Sequence, residues 1–214
     1  MPIKKPAIPA HLEKKNLKEA FEIACAEGDT ISDMHFEDDF LENADVFSAD
    51  FSKCIFSGIQ FNACEIDRIS FADCLFENCD FSGFNFKDGV IRRCRFDNCR
   101  GSGATFSKMT LRDILFNCCQ LNYISFIDSK FTDSAFNECQ LENGLFHNCQ
   151  QKGLNLDSCR LSQAEIIETL FKDVDLSGCD IQGIRTSINC LEGAEISLSQ
   201  CSSVLNLCGI RLKP

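Results

Sequence analysis

The chain has 214 residues and a formal net charge of −11, with 32 Asp and Glu against 21 Lys and Arg. Such an acidic chain repels nucleic acid, which argues against direct binding to DNA or RNA. The sequence holds no apolar run of about 18 residues, so we expect no membrane span. Its start has no apolar signal segment, so we expect a cytoplasmic protein.

Residues 1–30 precede a repetitive region and carry several lysines. Leu17, Phe21 and Ala24 recur at helical spacing, and Gly28 can end the helix after them. We expect this partly helical extension to cap the open end of the repeats. The alternative interpretation is an arm that binds a partner.

From Ile31 to Ile181 a large apolar residue recurs at every fifth position, and sixteen of the 20 phenylalanines lie in this register. A period of five fits neither a helix, where such residues would spread around all sides, nor a flat strand, where they would alternate between sides. The chain must therefore bend once per repeat. Only Gly101 and Gln151 replace the large apolar residue, and a local bulge is an open alternative at both.

A second register supports the bend, because a small residue, most often cysteine, recurs two positions before each large one. Residues two apart in an extended segment share a side, so both registers should face the interior of a narrow β-solenoid. The predicted core ladder consists of Phe56, Phe76, Phe81, Phe86, Phe96, Phe116 and Phe136.

Sixteen cysteines would indicate disulfides in a secreted protein, but their spacing favours another interpretation. Cysteines 20 positions apart should form a straight column inside the rod, where the thiol fills space beside phenylalanine. A straight column does not offer the tetrahedral cluster that zinc needs. We therefore predict no metal and no cofactor, and keep thiol-based metal binding or redox sensing as an alternative.

The repeats resemble the pentapeptide-repeat family, whose units read Ala, Asp or Asn, Leu or Phe, and two further residues. Ala44-Asp45-Val46, Ala49-Asp50-Phe51, Cys79-Asp80-Phe81 and Cys179-Asp180-Ile181 fit this pattern. The resemblance implies an all-β fold, a right-handed quadrilateral β-helix with four repeats per coil. We divide the chain into an N-terminal cap (1–30), the β-helix (31–184) and a C-terminal tail with a helix (185–214).

The tail leaves the phenylalanine pattern. Ser197 and Gln200 have capping-box spacing, Gly209 can end a helix, and Ile210 begins a predicted short strand that runs to Leu212. Leu191, Gly193, Ile196 and Gly209-Ile210 resemble the ending of the Qnr-like quinolone-resistance branch of the family.

That resemblance implies a homodimer of two rods joined at their tails, and an apolar helix on a short chain needs such a cover. A monomer whose tail caps its own rod is the alternative. The predicted dimer interface is Leu191, Ile196, Leu198, Cys201, Val204, Leu205, Cys208 and Ile210.

The same resemblance implies a DNA mimic that binds DNA gyrase, or topoisomerase IV, and modulates the enzyme or protects it from quinolones. The charge agrees, since residues 31–181 carry 25 Asp and Glu against 13 Lys and Arg. The carboxylates nearest the predicted junction are the candidate partner contacts: Glu165, Glu168, Asp173, Asp175 and Asp180.

The second hypothesis is a non-enzymatic scaffold whose flat sides bind another protein. Ile55, Leu75, Leu115 and Ala135 would form an outward apolar strip, interrupted by Arg95. The three histidines are scattered, and no carboxylate pair lies in an apolar stretch that would shift a pKa. We therefore predict a protein without catalytic residues.

Overall fold

The computed structural model describes residues 3–28, 30–42, 45–62 and 65–210. Ala44 of the first quoted repeat, Cys64 of the small-residue register and the part of the predicted terminal strand beyond Ile210 lie outside these ranges. The helical segments are α1 (Leu17–Glu27), α2 (Cys201–Leu207) and the 3₁₀ turns Ile188–Leu191 and Leu198–Gln200. The strands are β1 (Glu13–Lys14), β2 (Ile31–Ser32), β3 (Met34–Glu37), β4 (Phe40–Glu42), β5 (Asp45–Ser52), β6 (Ile55–Ser57), β7 (Gln60–Asn62), β8 (Glu65–Ala72), β9 (Leu75–Glu77), β10 (Asn85–Lys87), β11 (Val90–Asp97), β12 (Thr105–Ser107), β13 (Thr110–Asn117), β14 (Ser125–Ile127), β15 (Lys130–Asn137), β16 (Leu145–His147), β17 (Gln150–Asp157), β18 (Glu165–Ile167) and β19 (Arg185–Thr186).

The strands pair in parallel with partners 20 positions away. Phe96 of β11 lies beside Phe116 of β13, which lies beside Phe136 of β15. Isolated bridges continue the same spacing on a further side, as between Asp80 and Arg100. The predicted solenoid of stacked coils is confirmed.

The bend in most of the described repeats is a single residue in the left-handed backbone conformation. It lies two positions after the large apolar residue, as at Asp73, Asn78, Gly83 and Asp88, with φ between 50° and 69°. Asp, Asn and Gly enter this conformation more readily than other residues do. Their recurrence at this position is a sequence signal for the corner that the core pattern alone does not contain.

The interior is a column of stacked rings. Ring centroids of Phe56, Phe76, Phe96, Phe116 and Phe136 follow one another at 4.7, 4.4, 4.6 and 4.8 Å. Phe81 and Phe86 occupy neighbouring columns, and all seven residues of the predicted ladder are buried.

The small inward residues also satisfy the backbone. The Cys119 thiol donates to the carbonyls of Phe96 and Asn117 at 3.3 and 3.4 Å. The Ser134 hydroxyl makes the equivalent bonds, at 3.3 and 3.1 Å. A small side chain with a hydrogen to donate therefore suits this position, which a filler role alone does not explain. Burial raises the pKa of the Cys149 thiol, and a protonated buried thiol is unreactive.

Both interruptions of the register keep the ladder intact. The Phe81 ring occupies the space at Gly101, where an added Cβ would lie 2.2 Å from a ring carbon. The Gln151 amide donates to the carbonyls of Leu170 and Lys172, at 3.1 and 2.8 Å. At Gly101 the Phe81 ring fills the space of the missing side chain. At Gln151 hydrogen bonds take the place of apolar packing. Neither position therefore forms a bulge.

The two ends of the rod are covered by the chain itself. Helix α1 begins after Asn16, whose side chain accepts from the Glu19 amide, and its Phe21 ring lies 5.7 Å from Phe51. At the other end the coil bonding continues to Glu195, beside Asp175. The rod therefore extends about ten residues beyond the boundary predicted at 184, because large apolar residues keep their five-residue spacing at Leu191 and Ile196.

Candidate functional site

The outward side chains of two adjacent sides of the rod differ sharply in charge. We call the side formed around the Phe56–Phe76–Phe96 column the acidic face. Its outward positions hold one basic residue, Arg95, and eight carboxylates. The carboxylates are Glu37, Asp38, Glu77, Asp97, Glu138, Asp157, Asp175 and Glu195.

The neighbouring side, formed around the Phe51–Phe71 column, is the mixed face. Its outward positions hold seven acidic and seven basic residues. Arg93 donates two hydrogen bonds to the Asp73 carboxylate, from Nε at 2.7 Å and from Nη2 at 2.5 Å. This guanidinium, with a further bond from the Ala7 amide, lowers the pKa of Asp73 although burial opposes the shift.

The two halves of the acidic face differ as well. In the N-terminal half, Lys14 pairs with Glu37, and Arg95 pairs with Asp97 at 2.5 Å. In the C-terminal half, no ion pair between described residues involves any of four carboxylates, and all four are exposed. We call this set the carboxylate row; it consists of Glu138, Asp157, Asp175 and Glu195.

One member of the row, Asp175, has a lowered pKa, and the structure shows the cause. The Ser177 amide donates to the Asp175 carboxylate at 2.8 Å, and hydrogen bonds from Ser177 lower the pKa of Asp175. The backbones of Asp175 and Glu195 form a parallel β-bridge between neighbouring coils. The row therefore places one exposed carboxylate on each of four consecutive coils.

The structure does not gather the five sequence-predicted contacts on one surface. Asp175 belongs to the carboxylate row and Asp173 to the mixed face, while Glu165 and Glu168 share a third side and Asp180 lies on the fourth. Glu165 is also paired with Arg185 at 2.6 Å. These residues form a ring around the last coils because they were chosen by their distance from the tail. Sorting the acidic residues by the side of the rod on which they lie identifies the row instead.

The predicted apolar strip is not an open surface. Leu75 and Arg95 line a depression whose other wall is made by Pro6 and Ile8 of the N-terminal segment. Ala135 is buried, and Ile55 and Leu115 are half-buried. Part of the strip is therefore covered by the chain itself.

The tail divides the predicted dimer residues into two groups. Leu191 is buried in the rod core, and Ile196 and Val204 pack against that core. The buried Gln200 amide donates to the carbonyls of Leu176 and Cys179, both at 2.7 Å, so the tail is bonded to its own last coil.

The remaining members of the predicted interface face outward to different degrees. Leu198 is 92% exposed and Ile210 is 48% exposed. Cys208 is also exposed, whereas Cys201 and Leu205 are half-buried. The tail thus both caps its own rod and leaves apolar side chains uncovered.

Neither a metal site nor a membrane-spanning helix is found among the described residues. Within those ranges, no three His, Cys, Asp or Glu side chains are placed to hold a metal ion together. No helix in the same ranges has the length and apolar character to cross a bilayer.

Comparison with known proteins agrees with this architecture. The family model described as a pentapeptide repeat region matches residues 69–144, which lie within the repeats from Ile31 to Ile181. The matched part of this chain, residues 69–144, is a pentapeptide-repeat region. No curated protein matches its sequence.

Solved structures similar to this chain include a trypsin-treated variant of QnrB1, a plasmid-mediated fluoroquinolone resistance protein. It is 19% identical, with a TM-score of 0.39 and coverage of 85% of this chain and 90% of the other. Full-length QnrB1 is 15% identical, with a TM-score of 0.26 and coverage of 92% and 95%. HetL, a pentapeptide-repeat protein involved in heterocyst differentiation regulation in the cyanobacterium Nostoc sp. strain PCC 7120, is 14% identical, with a TM-score of 0.26 and coverage of 85% and 94%. At these values no functional residue transfers to this chain.

Proposed function

We propose that this protein imitates DNA and binds DNA gyrase, or another type II topoisomerase such as topoisomerase IV, through its acidic face. The observation that carries the proposal is the carboxylate row. Stacked coils rise about 4.8 Å, so along the rod axis each coil adds one carboxylate of the row about every 4.8 Å, although only Asp175 and Glu195 stand in the same register position. One strand of DNA carries a phosphate about every 3.4 Å. A basic groove that accepts DNA would attract a row of this sign and spacing.

Binding in such a groove would compete with DNA and so modulate the enzyme or protect it from quinolones. The sequence resemblance of the tail to the Qnr-like branch supports this direction. The role is one of binding, without catalysis, and it requires the cytoplasmic location predicted from the sequence.

We also propose a homodimer through the tail. The exposed Leu198, Cys208 and Ile210 would be covered by the same residues of a second copy, an isologous contact. Leu191, Ile196 and Val204 pack in or against the chain's own core, so they would hold the tail in place without contacting the second copy. The carboxylate row lies next to this end of the rod, so a dimer would place two rows in one longer surface.

The test compares two neutralised variants of equal charge change in a gyrase-binding titration at low salt. The row variant carries Glu138→Gln, Asp157→Asn, Asp175→Asn and Glu195→Gln. The ring variant carries Glu165→Gln, Glu168→Gln, Asp173→Asn and Asp180→Asn. We expect the row variant to lose about tenfold to a hundredfold in association rate, and the ring variant to lose clearly less.

Equal losses in the two variants would assign the interaction to overall charge and contradict the row. Unchanged binding in both would remove the basis for DNA imitation. Circular dichroism and thermal unfolding provide the folding control for each variant.

A scaffold function is the second candidate, because Leu75 and Leu115 are partly exposed apolar residues on the same face. Supercoiling assays with purified gyrase, with and without a quinolone, separate the two functions. A DNA mimic changes supercoiling activity or the quinolone response, whereas a scaffold for another protein changes neither.

A further inference from the structure

The N-terminal segment lies in an extended conformation along the edge where the acidic and mixed faces meet. The Lys4 amide donates to Asp113 Oδ1, and the Ala7 amide donates to Asp73 Oδ1, both at 3.2 Å. Further along, the Glu13 amide donates to the Asp33 carbonyl at 3.1 Å. We call residues 3–8 the arm. It runs across the coils in the direction opposite to the growth of the rod.

The spacing of the two carboxylates matches an extended peptide. Asp73 and Asp113 are 40 positions apart, which is two coils or about 9.6 Å of rise. Three residues of extended chain span about 10 Å. Two carboxylates on this edge therefore accept the amides of residues n and n+3 of one extended segment without bending it.

The two acceptors are built into the rod. Asp73 and Asp113 are 6% and 4% exposed, and both occupy the left-handed corner position of their repeats. Arg93 holds Asp73 from one side, and Arg112 lies 3.6 Å from Asp113. Their placement therefore depends on the coil corners and on neighbouring arginines, whereas the arm contributes only backbone amides.

The side chains of the arm indicate which residue types fit beside this edge. Pro6 and Ile8 meet Leu75 in a depression of about 390 Å³ that Lys5, Glu77, Arg95 and Asp97 also line. Lys4 and Lys5 are exposed beside this acidic surrounding. A segment that fits this edge is therefore extended, and its backbone amides at positions n and n+3 donate to the two carboxylates. It has proline at n+2, an apolar residue at n+4 and exposed lysines.

We propose that this edge is a peptide-binding groove and that its partner is an extended, lysine-bearing segment of another protein, which displaces the arm. In this structure the arm occupies the groove in cis and shows the geometry of the bound segment. The proposal rests on these contacts and is independent of the gyrase proposal, since the groove and the carboxylate row are separate surfaces.

The test uses the full-length chain with the arm released. Lys4→Pro with Ala7→Pro removes the two donating amides and leaves every residue of the rod unchanged. Ala10→Pro is the matched control, because no hydrogen bond between described residues uses its amide. The probe is a fluorescein-labelled peptide with the sequence of residues 3–14, and the readout is fluorescence anisotropy.

We expect the released variant to bind the peptide at least tenfold more tightly than the wild type or the Ala10→Pro control. In those two proteins the tethered arm competes at an effective concentration in the millimolar range. Adding Asp73→Ala and Asp113→Ala to the released variant removes both acceptors and should abolish binding, whereas adding Asp173→Ala, in the same column but three coils beyond Asp113, should not.

Equal binding by released and wild-type proteins, or no binding by either, would overturn the proposal. Binding that survives the two Asp→Ala changes would place the peptide elsewhere and overturn it as well. A doubling of mass of the released variant in place of peptide binding would assign the groove to a second copy of this chain. These outcomes do not depend on gyrase, so failure here and failure of the proposed function can be distinguished.

Discussion

The acidic and mixed faces are built on the same coils, yet their outward residues differ completely in charge balance. Eight carboxylates accompany one basic residue on the first, whereas acidic and basic residues are equal in number on the second. On the mixed face a carboxylate such as Asp73 is stabilised by Arg93. On the C-terminal half of the acidic face the carboxylates have no such partner. A solenoid constrains what points inward and leaves the outward positions free to differ from side to side.

The largest expected effect tests whether the two faces share one interior. Phe76 lies beneath the acidic face and Phe71 beneath the mixed face, and both are buried. Replacing either by alanine should cost about 3–5 kcal/mol, because each leaves a cavity in the ring stack. Urea unfolding of both variants checks this, with Val90→Ala at a 40% exposed position as the control.

A large difference in the free energy of unfolding between Phe71→Ala and Phe76→Ala would contradict a shared interior. The two faces would then differ in core packing as well as in charge. Val90→Ala should stay within about 0.5 kcal/mol of the wild type.

The second prediction concerns pairing on the mixed face. Asp73→Asn should lower the free energy of unfolding by about 1–3 kcal/mol at neutral pH, because it removes charge-assisted hydrogen bonds to Arg93. Asp173→Asn in the same column provides the matched control, since Asp173 is exposed.

The pH dependence gives this prediction a sign. The pKa of Asp73 is lowered below its usual 3.8, so the ionised form is favoured in the folded protein. Its stabilisation is fully present above pH 3.8 and is lost as the pH falls through the lowered value. The difference between wild type and Asp73→Asn should therefore be constant near neutral pH and shrink in acid. A difference that grows in acid would contradict the pairing.

The smallest effect is expected on the acidic face. Asp157→Asn removes one of several like charges, so it should change the free energy of unfolding by no more than about 0.5 kcal/mol and in the stabilising direction at low salt. The gain should vanish near 1 M salt, where the screening length is about 3 Å. A destabilising change at low salt would mean that attraction to a basic group outweighs the repulsion between Asp157 and the other carboxylates.

Much of the fold could be predicted from the sequence, because the inward positions are periodic. Phenylalanine at every fifth residue requires a bend per repeat, and Phe76 and Phe96 stack as the predicted column. The exchange at Gly101 was not predictable in detail, since the Phe81 ring that replaces it belongs to the preceding coil.

The candidate site was less predictable for physical reasons. The arm is held through the backbone amides of Lys4 and Ala7, and an amide leaves no pattern in a sequence. Leu191 and Leu198 were both assigned to the predicted dimer interface, but Leu191 is buried in the rod core and Leu198 is exposed. The carboxylate row could have been found by assigning each acidic residue to one side of the rod, and it was missed because the candidates were ranked by distance from the tail.

The most direct test of the account is displacement of a labelled DNA duplex from gyrase by the full-length protein at increasing salt. If the acidic face imitates DNA, the protein should displace the duplex, and its own binding to gyrase should weaken steadily as salt rises. A ternary complex of gyrase, duplex and this protein, with binding that does not respond to salt, would contradict the account.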